Sequence, residues 1–308
     1  MPRLRFSWLA ATLGLVMLGG CSLFHASSAA APDIQVPRTP ARIARGAYLA
    51  NHVMACVACH SPLTAQGAPQ PGLLGAGGRL FGKKNGLPGN IYSSNLTPDM
   101  ATGLGNWTDG EILRAMREGV AKDGTALFPV MPYPNYAKMS DDDAEAIVAY
   151  LRTLKPVKHA LPARTLDFPV NLFVNTIPKP LDRPVPPPPT ESVAHGHYLL
   201  TMASCSECHT PRSGPSVDMS RYLAGGFAFG DEDSVYQMPN ITQNKQLGIG
   251  GWSDAQIEAA VRYGQTPSGR QLAPAMPWPY YNGLSNRDMH DLIAYLRTVP
   301  AVPPNPAR

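Results

Sequence analysis

The chain has 308 residues, 44% of them hydrophobic, with 33 prolines and 28 glycines. That is room for two ordinary domains, and the proline and glycine content suits small helical units joined by loops rather than one large sheet. The formal charge is only +4 and no lysine/arginine cluster reaches five residues, which excludes a nucleic-acid footprint.

At the N-terminus, MPRLRFSWLAATLGLVMLGGC opens with Arg3 and Arg5, followed by an apolar run from Phe6 to Leu18 and by Gly19-Gly20-Cys21. A charged start, a short apolar run and small residues form an export signal, and the run is short for a membrane span. Small residues directly before a cysteine look like a bacterial lipobox. Residues 1–20 are therefore read as a lipoprotein signal peptide, Cys21 as the acylated residue and 21–40 as a tether. The alternative is an ordinary signal peptide cut near Ser27–Ala30. Several acyl chains on Cys21 would hold the protein stably at a membrane surface.

A first helix is expected from about Pro40 to the motif CVACH at 56–60. A second begins at the capping box Thr108-x-x-Glu111. A third begins at Ser140, where three aspartates suit a helix N-terminus. In that third helix Ile147, Tyr150, Leu151 and Leu154 fall at helical spacing. The same order then returns. A helix around Ser192 leads to CSECH at 205–209, a capping box falls at Ser253-x-x-Gln256, and a last helix starts at Ser285. AGGRLFG at 76–82 matches AGGFAFG at 224–230, and MPYPNYAKMS at 131–140 matches MPWPYYNGLS at 276–285. The chain is thus two versions of one unit, residues 41–156 and 191–300, with 301–308 as a loose tail. From Asn95 onward the copies keep an offset of 145; GAYLANHVMACVACH and GHYLLTMASCSECH differ by one residue of slippage. Residues 157–190 end in PVPPPPT and read as a proline-rich, semi-rigid linker. No segment reads as a strand, and the class is all-α. Tyr48 and Tyr198 are expected to pack on the last helix near Tyr150 and Tyr295.

Four of the five cysteines, Cys56, Cys59, Cys205 and Cys208, lie in the two Cys-x-x-Cys-His motifs; the fifth is Cys21. A dithiol redox site needs a βαβ setting that is missing here. A structural zinc needs four ligands, and each motif offers three. Haem attachment uses all three locally: two thioether bonds to the porphyrin, and the adjacent histidine, His60 or His209, on the iron. Two covalently bound haem c groups are expected. The iron then needs a second axial ligand, for which methionine is the usual partner. Of twelve methionines, Met131 and Met276 stand at equivalent positions, each followed by proline and an aromatic residue. They are the expected axial ligands; the bland reading is core filling.

Cys-x-x-Cys-His, then NLTPD…GNWTDGEI, then PVMPYPNYAKMSDDDAEAIVAYL resembles the class I cytochrome c domains of membrane-bound dehydrogenases. The nearest type is the cytochrome c subunit of bacterial alcohol, gluconate or sorbitol dehydrogenases. The resemblance implies two tandem class I cytochrome c domains joined by the proline-rich linker. It also implies a non-catalytic electron carrier. Its donor would be a periplasmic dehydrogenase. Its acceptor would belong to the respiratory chain: quinone, another cytochrome or a terminal oxidase. With Cys21 acylated, the chain would sit on the periplasmic side of a bacterial membrane. Those subunits typically carry three haem domains, and this chain has two such units. A di-haem enzyme with one open iron is the competing reading, and a haem-based sensor a third. No dinucleotide fingerprint accompanies the glycines at 72–78 or 248–251.

Overall fold

The computed structural model describes residues 26, 30–64, 67–213, 216–230, 235–273 and 275–303. The signal segment 1–20 and Cys21 lie outside the described residues. No helix among those described is long and apolar enough to cross a membrane.

Helix α1, Pro40–Tyr48, starts at Thr39, whose hydroxyl accepts from the Arg42 amide, with proline in the first turn. It runs directly into a π-helical turn, Leu49–Val53, closed by Met54 N donating to Leu49 O at 2.8 Å. In the second repeat α7, Ser192–Met202, is α-helical throughout. The π turn is where the first repeat absorbs the one-residue slippage between the copies, because an i→i+5 turn holds one residue more than an α turn.

The expected caps are in place. Thr108 and Glu111 cap α3, Asp109–Glu118, and Ser253 and Gln256 cap α9, Asp254–Tyr263, each as a complete capping box. Ser140 caps α5, Asp141–Leu151, by accepting from Asp143 N, and Ser285 caps α11, Asn286–Thr298, by accepting from Asp288 N. The remaining helices are single turns: α2, Cys56–Cys59; α4, Tyr133–Tyr136; α6, Val170–Phe173; α8, Cys205–His209; and α10, Trp278–Tyr281.

In each repeat the first long helix crosses the last. A Cβ on Gly46 would stand 1.8 Å from the Ala146 carbonyl oxygen, and one on Gly196 would stand 1.9 Å from that of Asp291. Only glycine lets the backbones approach so closely. One partly buried arginine per repeat braces the other elements. Arg152 donates to Asp109 and to the carbonyls of Leu104 and Trp107; Arg297 repeats this with Asp254, Ile249 and Trp252.

Three expectations change. First, antiparallel pairings are present. β1, Leu80–Phe81, pairs with β2, Gly89–Tyr92, which pairs with β3, Thr165–Leu166. In the second repeat β4, Arg212–Ser213, pairs with β5, Ser216–Val217, and β6, Ala228–Gly230, with β7, Val235–Gln237. They are too short to show a period of two in the sequence.

Second, the stretch read as a linker is strapped onto the first repeat. Val157 O accepts from Asn95 Nδ2 at 2.8 Å, His159 Nδ1 meets Ala76 O at 2.9 Å, β3 extends the sheet, and Val185 O accepts from Asp141 N at 3.1 Å. Proline content sets the local backbone but does not keep it off a surface that offers donors. The tether behaves likewise near its end: Val36 is buried and its amide donates to Asp109 Oδ2 at 2.9 Å.

Third, Tyr48 and Tyr198 reach across to the other repeat. Tyr48 donates to Asp288 Oδ2 at 2.5 Å and accepts from Ser285 N; Tyr198 donates to Asp143 Oδ2 at 2.7 Å and accepts from Ser140 N. Each tyrosine thus binds the N-terminus of the other repeat's last helix, a reciprocal contact of the kind found in two-fold dimers. One buried apolar cluster runs through both repeats.

Gly196→Ala should lower unfolding free energy by about 1–3 kcal/mol or more, because the added methyl meets backbone rather than a movable side chain. Denaturant unfolding checks this, and an unchanged midpoint would contradict the crossing.

Candidate functional site

Each Cys-x-x-Cys-His motif makes one tight turn, entered through a residue in the left-handed region: Ala55 at φ 49° and Ser204 at φ 55°. Neither is glycine, so each carries strain on the order of 1–2 kcal/mol that the surrounding packing sustains. Burial pushes the Cys56 and Cys205 thiols up to about 12 and Cys208 to about 11, and raises Cys59 as well. A dithiol redox centre needs the opposite, a stabilised thiolate. Zinc fits no better. The one group of three or more possible ligands close enough to share an ion, among the described residues, is His195, Asp288 and Asp291, which contains no cysteine.

The histidines are held by backbone. His60 Nδ1 lies 2.8 Å from Ser94 O, and His209 Nδ1 lies 2.8 Å from Pro239 O. A carbonyl only accepts, so Nδ1 carries the proton and Nε2 keeps its lone pair. Burial pushes both imidazoles below their ordinary value, which favours the neutral form. This is how a protein presents a metal-ligating histidine: one nitrogen anchored, the other free to coordinate.

The methionines sit in matched turns. Tyr133 N donates to Met131 O at 2.8 Å across Pro132, whose ψ is 49°; Trp278 N donates to Met276 O at 2.8 Å across Pro277, whose ψ is 44°. These are inverse γ-turns, favoured here because proline fixes φ.

These pieces meet in two cavities. The first, about 800 Å³, is lined by Cys56, Cys59, His60, Trp107 and Met131. The second, about 310 Å³, is lined by Cys205, His209, Trp252 and Met276. Cys208 shares the turn of Cys205 but is not part of that wall. Met54 and Met116 also line the first cavity, whereas Met276 is the one methionine of the second. Both volumes suit a bound cofactor. Thiols, a neutral imidazole and a thioether around an apolar cavity are the donor set for iron in a covalently held porphyrin. Residues that sequence reasoning overlooked also line the cavities, notably Tyr136 and Arg164 in the first and Tyr281 and Arg270 in the second. The equivalence of Tyr136 and Tyr281 was visible in the repeat.

Such a fold, with such a site, defines an electron-transfer protein of the c-type cytochromes. A sequence model of the family described as Cytochrome c matches residues 43–155 and 193–300. The chain belongs to the cytochrome c family, whose members hold haem c covalently. It is 34% identical over 271 residues to the fructose dehydrogenase cytochrome subunit of Gluconobacter japonicus, covering 84% of this chain and 53% of that protein. It is 32% identical to the cytochrome c subunit of the quinone alcohol dehydrogenase of Gluconobacter oxydans, covering 96% of this chain and 60% of the other. A diheme cytochrome c-type protein of Cereibacter sphaeroides is 31% identical, covering 80% of this chain and 82% of its own length. The chain therefore spans just over half the length of the dehydrogenase subunits it matches.

Ala55→Gly should leave stability within about 1 kcal/mol of the parent or raise it, because glycine adopts the left-handed region freely. Ala55→Val should destabilise by at least about 1–2 kcal/mol. Thermal melts of the two variants give the comparison, and equal midpoints would contradict the strain.

Proposed function

We propose that this chain is a dihaem c-type cytochrome that passes electrons from a dehydrogenase partner to quinone, another cytochrome or a terminal oxidase. Cys56 and Cys59 hold one haem c, with His60 and Met131 as axial ligands. Cys205 and Cys208 hold the other, with His209 and Met276. The observation that carries this is the duplicated site: in both repeats an anchored, neutral histidine and an equivalent Met-Pro turn line one cavity. The reading of an enzyme with one open iron lacks that support, because the two cavities offer the same ligand pair.

Bound haem supplies reversible one-electron chemistry. The chain's residues do the rest. The Ser94 and Pro239 carbonyls fix the imidazole tautomers, which raises their basicity toward iron. The thioethers favour the ferrous state and raise the potential. The apolar walls keep water from the iron. Cys21 acylated at the periplasmic face would keep the carrier beside membrane-bound partners. The names of the relatives support a dehydrogenase as donor.

A pyridine haemochrome assay should find two haems per chain. Met131→Ala and Met276→Ala should each convert one of the two to a high-spin, carbon-monoxide-binding form, while the parent binds little. Ready carbon monoxide binding by both haems of the parent would overturn the ligand assignment. Separately, Cys21→Ser should move the protein from the membrane to the soluble periplasmic fraction. A variant still at the membrane would sink the lipid anchor.

A further inference from the structure

His195, Asp288 and Asp291 play no part in attaching haem, and they meet where the second repeat's first and last helices cross. Gly196, the neighbour of His195, brings α7 so close to α11 that a Cβ there would stand 1.9 Å from the Asp291 carbonyl oxygen. Ser192 and His195 fall three apart on α7, and Asp288 and Asp291 three apart on α11, so each pair shares one helix face. All three residues are buried, and one ligand atom from each lies within 4.8 Å of the other two. His195 Nδ1 is 2.9 Å from Asp291 Oδ2 and 3.9 Å from Asp288 Oδ1.

In the first repeat a cation stands at this place. Arg45 holds the position of His195 and gives Asp143 two bonds, and Ala146 holds the position of Asp291. One buried carboxylate there meets one guanidinium. In the second repeat two buried carboxylates meet one imidazole, so even a protonated His195 leaves a negative charge over. Asp288 is only 6% exposed; its Oδ2 accepts from Tyr48, and its Oδ1 has no hydrogen-bond donor among the described residues. The neighbouring cations do not make up the difference. The field of Arg45 reaches Asp288, but its bonds to this joint go to Asp143. Arg287 and His290 lie outside, 68% and 75% exposed, and reach Asp291 alone, at 3.7 and 3.2 Å. Burial opposes the charge of Asp291, yet hydrogen bonds from Ser192, His195 and His290 hold its carboxyl at about 2, so it is ionised and able to ligate. A buried carboxylate oxygen without a cation is costly.

We propose that His195 Nδ1, Asp288 Oδ1 and Asp291 Oδ2 bind one divalent transition-metal ion, with zinc as the best fit, at the joint between the two repeats. Imidazole nitrogen and carboxylate oxygen are zinc donors, and at bond lengths of about 2.0–2.2 Å tetrahedral ligand atoms stand about 3.4 Å apart. The distances of 2.9 and 3.9 Å bracket that spacing. Calcium asks for six or more oxygens, more than this group offers. Ser192 Oγ, 2.6 Å from Asp291 Oδ1, borders the fourth position. Binding exchanges the hydrogen bond between His195 and Asp291 for bonds to the metal. A protonated His195 gives its Nδ1 proton to solvent, and a neutral one moves it to Nε2. The ion does for Asp288 what Arg45 does for Asp143, and Tyr48 keeps its bond to Oδ2. The site goes beyond the haem reading and does not rest on it.

The test is zinc binding by the intact protein, stripped with a chelator and then titrated with zinc in a calorimeter. One site per chain should appear, and bound zinc should raise the melting midpoint. His195→Ala and Asp291→Ala should each weaken zinc binding at least about tenfold, whereas His290→Ala, outside the three ligands, should leave it unchanged. The double variant His195→Arg/Asp291→Ala, which copies the first repeat's arrangement into the second, should fold and should neither bind zinc nor melt differently with it. A parent protein that takes up no zinc overturns the site. Zinc taken up equally by the double variant, or lost with His290→Ala alone, belongs to surface groups and overturns it too. The haem count is read on the same samples, so a failure of the haem reading is seen separately.

Discussion

Where helix Pro40–Tyr48 crosses Asp141–Leu151, and where Ser192–Met202 crosses Asn286–Thr298, the backbones meet at Gly46 and Gly196 with no space for a side chain. Everything that forms the site depends on that approach. It fixes the first helix against the last, so that the chain leaving the first helix enters the left-handed residue and the Cys-x-x-Cys-His turn at a set place. Arg152 and Arg297 then pin the far end of the last helix to the tryptophan loop on the opposite side of the cavity. The cavity is what remains between these braced elements. Its wall has little freedom to collapse, which is what a preformed cofactor site requires.

The same helices also join the repeats. Tyr48 and Tyr198 each extend from the first helix of one unit to the cap of the last helix of the other. The crossing that shapes each cavity therefore sets the distance between the two. Other contacts follow the same line. His52 Nδ1 lies 3.0 Å from Tyr280 O, and Asn135 donates to Glu207, a residue inside the second motif. Gly283 leaves room for the His52 ring, since a Cβ there would sit 2.1 Å from Nδ1. A flexible pair of domains would have to dock for each internal transfer. Here the two sites belong to one packed body, so the internal transfer proposed above would need no domain motion.

What was legible in the sequence was local or duplicated. Capping boxes declare helix starts within four residues, and both are present. Met131 and Met276 stood out because the repeat separates them from methionines without a counterpart, such as Met100. What escaped depends on surfaces meeting at long range. Nothing near Tyr48 indicates that Asp288, 240 positions away, will receive its hydroxyl rather than a residue of its own unit. The proline run of 157–190 announced its backbone preference but not Asn95, which ties it down. The one-residue slippage before Cys56 was visible as an offset. That it is a π turn rather than a loop follows only from the helix continuing through it.

Comparing the repeats shows which features hold position and which hold identity. The cysteines, histidines, Met-Pro turns and crossing glycines are the same residues in both. Elsewhere the atoms persist while their source changes. Asp143 is held by Arg45 through two bonds of 2.8 and 2.9 Å. In the second repeat the residue at the place of Arg45 is His195, which turns instead to Asp291, at 2.9 Å. Hydrogen bonds from Ser192, His195 and His290 outweigh the effect of burial and hold that carboxyl at about 2. A permanent cation has thus been exchanged for a titratable one, yet Tyr48 and Tyr198 make the same reciprocal bond on either side. A packing contact tolerates any group that fills the volume. The tyrosine-to-cap bond outlasts the change of side chain behind it, which marks that bond, rather than its support, as what the joining of the two repeats depends on.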